Sequence, residues 1–505
     1  MNLFRTKSVE QSIADTEEPE HQLKKSLSAF DLVVFGIGVI IGTGIFVLTG
    51  VAARDSAGPG VAISFVIAGV VCGLAALCYA ELASTVPVAG SAYTFSFATL
   101  GELIAWIIGW DLVLEFSLAA SVVAVGWSQY FVTLLDGLGI TVPTAIAGGE
   151  ESAINVPAML IVALLTIVAV LGIKLSSRFT AIMVTIKVAI VLAVIVVGAF
   201  FIKAANYSPF IPPAEPAERT SGLQAPLLES LFGLEPTVYG IGGMLAGAAL
   251  VFFAFIGFDI VATTAEETKN PQRDMPRGIL GSLVICTVLY VLVSLVVTGM
   301  QKYTELNPDA PLAEAFNSVD LPVFATLISL GAVAGLTSVM LILMLGQSRV
   351  LFAMSRDRLL PVALAKVHPK WGTPYRITIG VGVVVTIFAG FIPLEALAEL
   401  VNIGTLFAFM LVSIGVIILR RTRPDLPRAF RVPFSPVLPA LAVLACLFLM
   451  LNLTGETWLR FLVWMLAGFV IYFLYGARHS RLAPGEDRAP VEDTASPQTK
   501  SPRTE

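Results

Sequence analysis

The chain has 505 residues, of which 56% are apolar and only 13% are Asp, Glu, Lys or Arg, about half the ~25% charged fraction of an ordinary soluble protein. With a mean hydropathy of +0.87, apolar side chains exceed what water-soluble cores hide, so lipid is the expected solvent and a cytosolic enzyme is excluded. The net charge of −5 gives no single-sign field, and nucleic acid is set aside as a partner.

Residues 1–28 are polar and close on Lys24 and Lys25, which is not the pattern of a cleavable signal, so they are expected to form a cytoplasmic tail. Twelve apolar runs follow, each long enough at 1.5 Å per residue to cross a ~30 Å hydrocarbon layer. They lie near 30–53, 60–84, 98–134, 154–173, 178–202, 238–264, 277–299, 321–354, 375–392, 395–419, 436–453 and 458–476. The third and eighth are too long for a perpendicular crossing and should tilt or project. The expected organisation is five spans in 29–202, an extracellular loop over 203–237 with a short interfacial helix between Leu223 and Leu234, five more spans in 238–420, two final spans in 421–476, and a disordered cytoplasmic tail over 477–505. Orientation follows from the basic residues. With the N-terminus inside, only Arg54, Lys203, Arg219, Lys302 and Arg460 fall outside and Lys187 falls within a span, while all other Lys and Arg of the 31 are cytoplasmic. A multi-pass protein of the bacterial inner membrane is expected, with both termini cytoplasmic.

The first span carries Gly36, Gly38, Gly42 and Gly44 within nine residues. Each glycine weakens a helix by about 1 kcal/mol relative to alanine, so an unwound segment over Ile40, Ile41, Gly42, Thr43 and Gly44 is one reading. Close helix packing through small residues is the other. Glu81 in the second span and Asp111 in the third read as structural carboxylates satisfying neighbours. Glu115, one turn after Asp111, either partners a cation or shapes a pocket. Lys187 lies about ten residues into the 25-residue fifth run, too deep to snorkel comfortably to an interface. The sixth span places Gly257 and Asp259 halfway along its length, after Phe253, Ala254, Phe255 and Ile256. Asp259 is expected to gate a site or to cap the inner half-helix. An ionisable group at that depth costs roughly 2.5 to 3.5 kcal/mol on insertion scales and is a functional candidate.

Interruptions in the first and sixth spans imply repeats of five spans, and an odd number inverts the second copy in the membrane, as in secondary transporters. If the first span breaks near Gly42, the free N–H groups of its outer half suit a carboxylate, and the carbonyls that end its inner half and the outer half of the sixth suit an ammonium. A free α-amino acid carries both charges, with Phe253 beside its side chain.

These residues resemble a known family, the amino acid, polyamine and organocation (APC) transporters, in the bacterial cationic amino acid transporter-like branch. The similarity covers roughly 24–476 and rests on Gly36 to Phe46, Phe252 to Asp259, Glu266 to Pro276, and Arg349 to Asp357. It implies an all-α integral membrane protein of 12 transmembrane helices, a LeuT-like 5+5 inverted repeat with broken helices 1 and 6, plus two C-terminal helices. In the family, backbone atoms around Gly42, Thr43, Gly44 and Phe253 hold the substrate's charged ends. In sodium-driven relatives of the fold a cation sits between the first, fifth and eighth spans. The Lys187 ammonium resembles a replacement for that ion, expected to contact carbonyls at the first break and hydroxyls of Thr337 or Ser338, with its proton coupled to transport. A lysine that only locks helices together is the alternative.

The leading expectation is therefore a proton-coupled importer of neutral, alanine-sized amino acids working by alternating access, with cationic ones as runner-up. An amino acid/polyamine exchanger, or an Arg/Lys transporter without proton coupling, is the alternative. No cofactor, metal or enzymatic role is expected, since His21, His368 and His479 lie outside the spans and Cys72, Cys78, Cys286 and Cys446 read as packing residues. Amino acid, protons and the bilayer are the expected partners, leaving a small single-span membrane partner open.

Overall fold

The computed structural model describes residues 25–86, 91–148, 152–172, 177–217, 222–233 and 235–480. The expected tails, apart from residues 25–28 and 477–480, lie outside the described residues. The described chain is mostly helical, and helices cover the greater part of each of the twelve apolar runs. The main elements are α1 (Ala29–Ile40), α2 (Val61–Thr85), α3 (Ser91–Thr99), α4 (Glu102–Gly137), α5 (Val156–Val170), α6 (Ser177–Gly198), α7 (Gly240–Val251), α8 (Phe258–Ala262), α9 (Pro271–Met300), α10 (Pro322–Arg356), α11 (Tyr375–Phe391), α12 (Leu394–Thr422), α13 (Val437–Leu451) and α14 (Gly455–Ile471). Among the described residues eight helical segments are long and apolar enough to cross a membrane, and α1, α5, α11 and α13 are shorter apolar helices.

Local signals set the helix ends. Ser28 caps α1 in a capping box, with its N–H donating to Asp31 Oδ2 at 2.8 Å. Asn155 caps α5 by accepting from the Ala158 N–H at 3.0 Å, and proline opens α9 and α10, where its missing N–H does no harm. The third run corresponds to the 36-residue α4, which starts at Glu102, while residues 98 and 99 close the separate helix α3, parted from α4 at Leu100–Gly101. The loop helix is confined to Leu227–Phe232, beside a two-residue ladder pairing Glu215–Pro216 with Thr237–Val238.

α4 and α10 run along each other through the centre, α9 packs on α1 and α2, and α12 closes against α4. Away from this core the outer helices expose apolar rows at helical spacing, such as Leu160 (66%), Leu164 (56%) and Ile167 (58%) on α5. Such surface is stable only against lipid. At one end the segment before α1 pairs with the segment after α8: the N–H groups of Ser26 and Leu27 donate to Glu267 O at 2.8 and 3.0 Å, and Lys269 N donates to Leu27 O at 2.9 Å. A buried carboxylate anchors the loop after α12, because Glu81 accepts from Arg420 Nε at 2.8 Å and from Val432 N at 2.7 Å. All four cysteines are buried and free.

Candidate functional site

Both expected interruptions are present. α1 stops at Ile40, Ile41 is extended (φ −71°, ψ 96°), and helical structure resumes at Gly44–Leu48. The sixth span runs through α7 and a tight turn over Phe252–Phe255, becomes extended at Ile256 (φ −62°, ψ 134°), and restarts as α8 after Gly257 (φ 121°). Gly257 is required twice over: that φ suits only glycine, and a Cβ there would stand 2.7 Å from Val39 Cγ1. Asp259 Oδ1 accepts from the Gly257 N–H at 3.2 Å, a carboxylate in the first turn of α8.

A cavity lies between the two breaks, lined by Val39, Ile40, Gly42, Thr43, Gly44, Ala119, Val123, Phe253, Ile256, Val339 and Leu343. Its wall is aliphatic apart from Phe253 and the Thr43 hydroxyl, and no lining residue carries a charge. Thr43 Oγ1 is buried without a hydrogen-bond partner. Around this cavity the first break leaves free helix-start amides and both breaks leave helix-end carbonyls, so peptide groups supply its polarity.

The other expected site residues distribute as follows. Ile41, Ala254 and Phe255 are buried beside the cavity and do not line it. The Ile41 carbonyl turns to Lys187, and the Phe255 ring packs on Phe65 and Tyr290. Lys187, 1% exposed, places Nζ 2.6 Å from Gly38 O and 3.4 Å from Ile41 O, at the end of α1. Its stem lies against Gly335 on α10. The hydroxyls of Thr337 and Ser338 are not its partners, contrary to the sequence expectation. Thr337 Oγ1 donates to Val333 O at 2.8 Å and accepts from Trp127 Nε1 at 2.9 Å, and Ser338 Oγ donates to Gly335 O at 2.7 Å. Both bond back to their own helix, the default for a serine or threonine in a lipid-embedded helix.

Glu115 and Asp111 sit one and two turns below Ala119 on the same face of α4, fully buried; the Asp111 oxygens have no hydrogen-bond partner among the described residues, and Thr405 on α12 lies beside the Glu115 carboxylate. Asp259 and Asp111 are the charged neighbours of Glu115, so three carboxylates gather beneath the cavity.

Several lining residues escaped sequence reasoning. Val39, Val123, Val339 and Leu343 are ordinary aliphatics within apolar runs, and only their i, i+4 spacing on α4 and α10 hinted at a shared face. Tyr290 on α9 reaches both breaks, with its hydroxyl 2.7 Å from Ile40 O and 2.8 Å from Ala254 O. Asn402 on α12 donates to Ala249 O and Leu250 O at 2.8 and 3.0 Å, steadying α7 just before its end.

Residues 27–475 match the amino acid permease family. Among characterised proteins the chain is 50% identical to the branched-chain amino acid permease BcaP of Bacillus subtilis (strain 168), over 95% of this chain and 99% of that one. It is 46% identical to the methylthioribose transporter of the same organism, again over 95% and 99%. The vacuolar cationic amino acid transporter 4 of Arabidopsis thaliana is 32% identical over 95% of this chain and 96% of its own length.

Proposed function

The chain belongs to the amino acid permease family, a family of membrane transporters and not of enzymes, and from that premise we propose that it imports neutral, aliphatic L-amino acids across the bacterial inner membrane in symport with protons. The observation that carries this reading is the uncharged, largely aliphatic cavity set between two broken helices, with the buried Lys187 ammonium on the carbonyls of one break. The substrate carboxylate meets the amides of Gly42, Thr43 and Gly44 and the free Thr43 hydroxyl. Its ammonium meets the helix-end carbonyls, and its side chain meets Val39, Ala119, Val123, Phe253, Ile256, Val339 and Leu343. The aliphatic wall extends the sequence expectation from alanine-sized to branched side chains, in keeping with the branched-chain permease among the relatives.

In this reading the spans form two inverted repeats of five with two helices added, and the site opens alternately to each side. Lys187 sits where an ion holds related folds together, and loss of its proton frees the carbonyls of Gly38 and Ile41 to rearrange. Asp259 and Glu115, beneath the cavity, act as gating or shaping residues in this reading, whereas Thr337 and Ser338 do not line it.

The test is uptake into proteoliposomes with an inward proton gradient, comparing leucine, alanine, arginine and putrescine. Leucine and alanine should accumulate only with the gradient, while arginine and putrescine stay at the background level. Accumulation of arginine in preference to leucine, or leucine uptake indifferent to the gradient, overturns the reading. A second reading draws on the same uncharged wall: methylthioribose, an uncharged sugar named for one relative, suits it as well, and competition of leucine uptake by methylthioribose discriminates the two.

A further inference from the structure

Tyr290 is fully buried on α9, its ring held between Phe65 (centroids 5.5 Å apart) and Phe255 (5.3 Å). The hydroxyl oxygen lies 2.7 Å from Ile40 O and 2.8 Å from Ala254 O. These carbonyls belong to different spans, and each sits in the last turn before a break, where helix carbonyls lack an amide of their own. A phenol has a single hydrogen. It serves one carbonyl at a time, leaving the other oxygen facing the phenol lone pair to lone pair. Three oxygens thus meet around one hydrogen, in a region without bulk water to supply a second. Such a shortfall is costly when buried. Ile40 lines the cavity, and so does Phe253, the neighbour of Ala254.

We propose that Tyr290 is a substrate-positioning residue: its hydroxyl gathers the Ile40 and Ala254 carbonyls from both broken helices into one acceptor cluster at the cavity edge, and the ammonium of the bound α-amino acid supplies the missing hydrogen. The proposal rests on the amino acid reading of the cavity. It explains how two half-helices that share no hydrogen bond to one another across this gap present their carbonyls at a common spot. It also makes recognition of the ammonium depend on a side chain of a third, unbroken helix.

The experiment uses the full chain in proteoliposomes. In the wild type, N-methyl-leucine, which lacks one ammonium hydrogen, should compete about tenfold more weakly than leucine, the scale of one lost charged hydrogen bond. Equal competition overturns the proposal. Tyr290→Phe keeps the ring and its packing. It should raise the KM for leucine about tenfold, hold the maximal rate within twofold, preserve gradient-driven accumulation at saturating leucine, and shrink the N-methyl penalty. An unchanged KM, or a lower maximal rate at the same KM as a purely structural role would give, overturns it. If the variant does not fold, the wild-type comparison decides. Replacing sodium by choline should leave wild-type affinity unchanged, and a fall would mean that a metal ion fills the cluster, which overturns the assignment. Wild-type vesicles that take up no amino acid refute the transport reading itself, whereas transport unaffected by Tyr290→Phe refutes only this proposal.

Discussion

A Cβ placed on Gly44 would stand 2.3 Å from the Cα of Ala254 and 3.0 Å from its nitrogen, so the helical stretch that resumes at Gly44 and the turn over Phe252–Phe255 touch backbone to backbone beside the cavity. Only a hydrogen fits between them. The contact fixes the distance between the amides that end one wall of the site and the carbonyls that end the other.

Gly44→Ala should therefore push the half-helices apart, since backbone on both sides leaves nothing that can yield cheaply. Overpacking of this kind costs about 1 to 3 kcal/mol, and uptake of labelled leucine should fall at least about tenfold by the usual energy conversion. Gly73→Ala, on a helix face with nothing within 4 Å of the new Cβ, should transport like wild type. Equal activity of the two variants would show that the contact is dispensable.

Substitution of Lys187 separates binding from coupling. Lys187→Met and Lys187→Arg both remove an amine able to shed its proton, the first by deleting charge and the second because a guanidinium stays charged. Neither variant should accumulate leucine on an inward proton gradient, while leucine/leucine counterflow should persist at least in part in Lys187→Arg. Gradient-driven accumulation at wild-type levels in either would refute a coupling role.

The Glu81 carboxylate tests the frame, not the site. It is buried, accepts from Arg420 and from the Val432 amide, and lies 3.6 Å from Arg428 Nε. Glu81 is buried while the Arg420 side chain stays 24% exposed, so breaking the pair costs less than the roughly 3 to 5 kcal/mol of a fully buried one. Glu81→Ala should lower the thermal midpoint in detergent by several degrees, and Arg420→Ala should do the same. Because the interaction is shared, the double variant should lose less than the sum of the two single losses.

Orientation is open to chemical labelling. The native cysteines are buried, so background reaction should be low. A membrane-impermeant maleimide applied to intact spheroplasts should label Leu138→Cys, at the end of α4, and spare Val362→Cys, in the loop after α10 that carries Arg358, Lys366 and Lys370. Both positions are well exposed, at 64% and 54%. The reverse pattern would turn the protein over in the membrane.

The two interruptions were readable in the sequence because each is encoded locally, by four glycines in nine residues in one span and by Gly257 next to Asp259 in the other. Lys187 was readable from depth alone, as a charge has few reasons to sit there. What the sequence concealed depends on rotation about helix axes. α10 is apolar on nearly every face, so nothing marked Val339 and Leu343 as facing the cavity in place of Thr337 and Ser338, whose hydroxyls are consumed within their own helix. Tyr290 is one aromatic in an apolar run, and its role arises only when three spans converge. The short helix α3, which mostly precedes the third run, was not legible, because its nine residues alternate Ser and Thr with aromatics and carry no cap signal before Gly101.

Three backbone hydrogen bonds fasten Ser26 and Leu27 to Glu267 and Lys269, and with them the segment before α1 to the segment after α8. A swing of α1 alone would tear that seam, whereas a joint swing leaves it whole. α1 and α8 therefore behave as one lever, and a pull on Ser26 or Leu27 is felt by both.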